Sequence, residues 1–139
     1  ARVGFAIADS ALAADLNKIK YSTNPYNINS MSQNAAIAAL ESFEYYDENC
    51  KRIIDNRRAF CCELEKLGFD YLPSSANFVF VKKSGVSGRG LYKGLKEKGI
   101  LVRRFDNPRI SDWLRITIGT KEQMEKLAAA LSNLTEDMK

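Results

Sequence analysis

Apolar positions fall in two rhythms along this chain, period two and period three to four, and each change of rhythm marks an element. Residues 2–8, "RVGFAIA", form a short apolar run that reads as a strand and ends at Asp9-Ser10, a good helix cap. Leu12, Leu16 and Ile19 then mark one face of a short helix. "YSTNPYNINS" is dense in Asn, Ser and Pro and reads as a polar loop ending at Ser30, which makes a capping box with Gln33. From Leu40 the apolar stripe continues through Phe43, Tyr46, Cys50, Ile53, Phe60, Leu64 and Leu67. This predicts one very long helix, or two nearly continuous ones kinked at "YYDEN" and stopped by Gly68.

Beyond "LPSS" the rhythm changes to that of strands. "ANFVFVKK" is rich in β-branched and aromatic residues, and "SGVSGRG" reads as a flexible turn into a helix carrying Leu91 and Leu95 and ended by Gly99. The strand "ILVRRF" follows, then a nine-residue irregular loop and the strand "WLRITIG". Thr120 and Gln123 make a second capping box before a last helix marked by Met124, Leu127, Leu131 and Leu134. The order from residue 76 is β-α-β-β-α. The expected class is α/β (α+β), a small sheet packed on helices and preceded by a long helix.

Composition narrows the chemistry. At 139 residues the chain is about one domain long and large enough for a core without metal or disulfide staples. Cys50, Cys61 and Cys62 lie on a helical pattern, are odd in number, and read as reduced structural thiols. There is no histidine, which removes Ser-His and Cys-His nucleophile pairs and zinc-histidine sites, and the absence of C-x-x-C argues further against a metal. A net charge of +4 permits an anionic partner, but the 21 basic residues are spread against 17 acidic ones without a dense run. No stretch reaches the ~18 apolar residues of a membrane span and no signal peptide is visible, so a soluble, cytoplasmic protein is expected.

The arginines inside the two late strands raise a sharper question. Alternation places Trp113, Arg115 and Thr117 on one face of "WLRITIG" and Leu114, Ile116 and Ile118 on the other. In "ILVRRF", Leu101, Arg103 and Phe105 share one face and Ile100, Val102 and Arg104 the other. If the strands pair as a hairpin, one arginine of the pair shares a face with Arg115, and two guanidiniums there repel unless an anion sits between them. A guanidinium grips carboxylate or phosphate in bidentate fashion. Alternation alone favours a solvated arginine, or one paired with something like Asp106 or Asp112.

Five segments, "ARVGFAIA", "NPYNINSMSQNAAIAAL", "SSANFVFVK", "GILVRRF" and "LRITIGT", together resemble the C-terminal part of the histidinol-phosphate aminotransferase family, fold-type I enzymes dependent on pyridoxal phosphate. The resemblance covers essentially the whole chain; a threonine-phosphate decarboxylase or another class I/II aminotransferase would look similar. It implies that residues 1–30 are the end of a large cofactor-binding domain and residues 31–139 a small C-terminal domain that includes the long linking helix. It assigns Arg2, in "RVGF", to the cofactor phosphate and Arg115 to the substrate carboxylate. Arg103 becomes a second substrate-binding residue, with Arg104 in its place if the register slips by one.

The same resemblance implies that the Schiff-base lysine lies upstream of Ala1, so that this chain is a fragment, inactive alone and without a catalytic residue of its own. The substrates implied are histidinol phosphate and the glutamate/2-oxoglutarate pair, in a homodimer that binds neither nucleic acid nor membrane. Two other classes fit the residues: a basic α/β module binding nucleic acid, and a structural dimerisation fragment. Asn77, just ahead of a strand, is a further candidate for substrate contact, and a structural hydrogen bond is its alternative.

Overall fold

The protein is described by a computed structural model covering residues 2–137. It divides into two compact units, residues 1–47 and 48–139. In the first, residues 2–9 adopt neither helix nor strand, and α1 (Ser10–Thr23) and α2 (Ser30–Glu41) follow. The strand expected over residues 2–8 is therefore absent. The four strands of the sheet all lie between residues 70 and 117, so this run has no ladder to join. Asp9 caps α1 as its position predicts, its Oδ1 accepting from the amides of Ala11 at 2.9 Å and Leu12 at 3.1 Å. The cap of α2 is Asn29 rather than Ser30, because the Asn29 carboxamide reaches the Ser32 amide at 2.8 Å and draws Ser30 into the first turn.

α3 (Phe43–Lys66) follows α2 after a break at Ser42, three residues before the predicted "YYDEN" kink. Its end matches the sequence reading. Gly68 takes φ +69°, the Phe69 amide donates to the Leu64 carbonyl, and the Gly68 amide donates to that of Glu65, which together close the helix. Only the C-terminal half of the apolar stripe is covered: Phe60 and Leu64 are buried, whereas Leu40, Phe43 and Tyr46 are exposed.

The second unit carries the sheet. β1 (Asp70–Leu72), β2 (Phe78–Lys82), β3 (Arg103–Arg104) and β4 (Leu114–Thr117) pair antiparallel in the order β1-β2-β4-β3, with α4 (Gly88–Glu97) and α5 (Lys121–Asp137) completing the expected β-α-β-β-α series. β1 adds a short edge strand that three residues of pattern cannot announce. One sheet face and the helices enclose the core, formed by Val79, Val81, Leu114, Ile116 and Ile118 against Phe60, Leu64, Leu91, Leu95 and the Met124–Leu134 stripe of α5. The second capping box is present: the Thr120 amide donates to Gln123 Oε1 at 2.9 Å and the Gln123 amide to Thr120 Oγ1 at 3.3 Å.

"SGVSGRG" is not the flexible turn that its glycines suggest. Gly88 is buried, and a Cβ there would stand 2.5 Å from the Cα of Asp112, so Gly88 is where two backbones pass closely. The three cysteines are free thiols, and burial raises the Cys61 pKa above its usual value. Among the described residues, no helix is long and apolar enough to cross a membrane.

Candidate functional site

The sheet face turned away from the core is built from alternate residues of each strand. Side chains alternate along β4, so burying Leu114, Ile116 and Ile118 sends Trp113, Arg115 and Thr117 to the opposite face. Register then forms a row across three ladders: Leu72 faces Phe80, Phe80 faces Arg115, and Arg115 faces Arg103. The hairpin expected from the sequence thus sets Arg103 and Arg115 opposite each other in register. Arg104 goes to the other side, where its Nε donates to the Ser111 carbonyl at 2.8 Å and its guanidinium pairs with Asp106.

That arrangement removes both carboxylates that could have neutralised Arg115. Asp106 is held by Arg104, and Asp112 Oδ1 accepts from the Gly88 amide at 3.1 Å. Among the described residues neither Arg103 nor Arg115 forms an ion pair, and the buried Nε of Arg115 has no hydrogen-bond partner within the chain. A buried guanidinium donor left unpaired is costly, and Arg115 lines an adjoining groove in which an anion would meet the fork of its guanidinium.

The groove holds about 510 Å³ and is lined by Arg115, Phe78, Phe80, Phe105 and Ile110, with Leu72 and the loop residues 73–76 as one wall. Its aromatic lining is the feature that sequence reading missed. The Arg115 guanidinium carbon lies 5.2 Å from the Phe78 ring centroid, and that of Arg103 lies 5.1 Å from Phe105. Phe80 stacks on Trp113 at 4.9 Å and meets Phe105 edge-on at 6.1 Å. Strand parity was the signal available for these rings, since each is on the arginine face. Such a site offers bidentate donors over a low-polarity floor, which strengthens binding of carboxylate or phosphate.

Arg2 belongs to the other unit; it is exposed, with φ +54°. Asn77 is exposed, and its carbonyl accepts from the Ile118 amide at 2.9 Å, a link that extends the β2–β4 ladder.

Comparison with known proteins adds an independent line. The model of the aminotransferase class I and II family matches residues 1–131. A histidinol-phosphate aminotransferase from Clostridium beijerinckii is 45% identical over 141 aligned positions, covering 99% of this chain and 39% of that protein. The crystal structure of the Clostridium acetobutylicum histidinol-phosphate aminotransferase superposes with a TM-score of 0.77 at 32% identity, over 87% of this chain and 37% of that one. The Sinorhizobium meliloti enzyme, solved with pyridoxal-5'-phosphate, gives 0.74 at 27% identity over 93% of this chain and 35% of that one. The chain spans little more than a third of the length of the relatives it matches.

Proposed function

The chain belongs to the class I and II aminotransferase family, and we propose that it forms the substrate-anion half of a pyridoxal-phosphate-dependent aminotransferase passing an amino group between histidinol phosphate and 2-oxoglutarate. In that enzyme residues 1–30 close the large cofactor-binding domain, residues 31–139 form the small domain, and the whole works as a cytoplasmic homodimer. The observation that carries this reading is the buried, unpartnered Nε of Arg115 on the face where Arg103 stands opposite.

Arg115 grips the carboxylate of glutamate or 2-oxoglutarate through its fork. Histidinol phosphate has no carboxylate, so the same mouth must accept a second anion. Arg103 supplies the extra charge, and two cations side by side bind a phosphate dianion as readily as a carboxylate. The aromatic floor excludes water and strengthens both contacts. Arg2 fits the cofactor phosphate by the chemistry of its exposed guanidinium, which has no acidic partner among the described ion pairs. When bound, pyridoxal phosphate supplies the electron sink for amino transfer. No lysine of this chain stands in the context of the lysine that carries it, and the 139 residues alone perform no transamination.

The test is a chimera in which this chain replaces the matching segment of the C. beijerinckii relative. Transamination of histidinol phosphate is expected, and Arg115→Ala lowers kcat/KM by about 10²–10³-fold, the cost of unpairing a buried charge. A folded, cofactor-loaded chimera indifferent to that substitution overturns the reading.

A further inference from the structure

One wall of the Arg115 groove is a loop, and a side chain outside the groove ties it down. Residues 73–77 join β1 to β2 without regular structure. Ser74 staples the loop internally, its Oγ donating to the Phe78 carbonyl at 2.6 Å and accepting from the Ala76 amide at 3.1 Å. The tie to the helical layer comes from α3, where partly buried Arg57 donates through Nη1 to the Ala76 carbonyl at 2.5 Å. The neighbouring Asn56 donates through Nδ2 to the Gly119 carbonyl at 2.9 Å.

These two carbonyls leave the same end of one ladder. Phe78 is the register partner of Thr117, and the Ile118 amide donates to Asn77 just beyond, so Ala76 and Gly119 flank the last link between β2 and β4. Adjacent residues of one helix turn therefore hold the strand that enters with the groove wall and the strand that leaves after Arg115. Arg57 carries more of this task, since the residues it restrains line the groove themselves.

We propose that Arg57 is a positioning residue whose hydrogen bond to the Ala76 carbonyl fixes the groove wall and so sets the affinity of the groove for a carboxylate at Arg115. A site whose wall must be ordered at the moment of binding loses affinity by the cost of that ordering, and Arg57 removes the cost in advance. The bond uses one donor to one carbonyl, so lysine can replace it, whereas methionine keeps the length of the side chain and offers no donor. Arg58, the next residue, is exposed and lies 3.8 Å from Asp55, which makes it a control for loss of one positive charge from the same helix.

The inference rests on reading the groove as an anion site, and the experiment separates the two. 2-Oxoglutarate is titrated into the 139-residue chain and followed through Trp113, its single tryptophan, which stacks on Phe80 in the groove. Amide hydrogen exchange is read over residues 73–77 and over α5. Arg57→Met is expected to weaken binding about tenfold, the cost of ordering roughly one loop residue at the moment of binding, and to speed exchange in the loop while α5 is unchanged. Arg57→Lys restores binding to within about threefold, and Arg58→Met matches the parent. Ser74→Ala, which cuts the same loop from within, weakens binding in the same direction. If the parent binds and Arg57→Met binds equally well, or if exchange quickens throughout α5 as well, the positioning role is overturned and the anion site stands. If the parent chain binds no 2-oxoglutarate, the anion reading fails and this inference fails with it.

Discussion

Tyr71 of β1 donates its phenol proton to Glu65 Oε1 near the end of α3 at 2.5 Å. That hydrogen bond, with loss of hydration second, pushes the Tyr71 pKa up from 10.0 to about 12. The folded chain thus holds a proton that the unfolded chain releases near pH 10. The stabilisation is complete below that pH and drains away as pH rises from about 10 to about 12. Urea midpoints measured across this window should fall more steeply for the parent than for Tyr71→Phe, and parallel slopes would show that the bond contributes nothing. Arg115 shows what can be read at this scale without a structure. Its face follows from alternation alone, whereas which of Arg103 and Arg104 keeps it company follows only from the β3–β4 register. Nor does alternation fix the fates of Asp106 and Asp112: Asp106 is taken by Arg104 two residues away, and Asp112 by the Gly88 amide, which only tertiary structure brings near across 24 residues.

Elements announce themselves when their signals are local. The Asp9 cap, the Thr120–Gln123 box and the Gly68 stop each lie within a few residues of the helix end they define, and each is where the sequence places it. β1 was invisible because its three residues owe their conformation to β2, and the break at Ser42 carries no glycine or proline to mark it. The start of α4 is the instructive case. Gly85, Gly88 and Gly90 read as flexibility, yet Ser87 Oγ accepts from the Gly90 amide at 3.3 Å and Gly88 lies against the backbone of Asp112. A methyl group there meets backbone, which cannot swing aside as a side chain can. Gly88→Ala is therefore expected to lower unfolding free energy by about 1–3 kcal/mol, as overpacking does. Chemical denaturation beside the exposed Arg89→Ala checks this, and a loss below about 0.5 kcal/mol, the scatter of ordinary surface changes, would mean the loop is loose after all.

Over the whole molecule, apolar burial is unevenly distributed. Among the described residues, all fifteen buried hydrophobic ones lie between Phe60 and Leu134. α1 and α2 contain no buried residue, and Phe5, Ile7, Tyr26 and Met31 are each at least 80% exposed. The stripes Leu12–Leu16–Ile19 and Leu40–Phe43–Tyr46 state that faces of these helices are suited to burial, but periodicity has no way to name what covers them. Helices of 14 and 12 residues without a packed face are at the length where helicity in water is marginal. Residues 10–41 are therefore expected to exchange their amide hydrogens orders of magnitude faster than β2, β4 and α5, whose opening requires loss of the core. Removing residues 1–41 should shift the thermal midpoint by no more than about 4 °C, the equivalent of roughly 1 kcal/mol in a domain of this size. Equal protection in both regions, or a large fall in the midpoint on truncation, would mean that the first unit shares in the cooperative core. The predicted asymmetry follows from where the buried side chains are: stability resides with the sheet that carries Arg103 and Arg115, so the proposed anion site is expected to keep its geometry even when the first helices open.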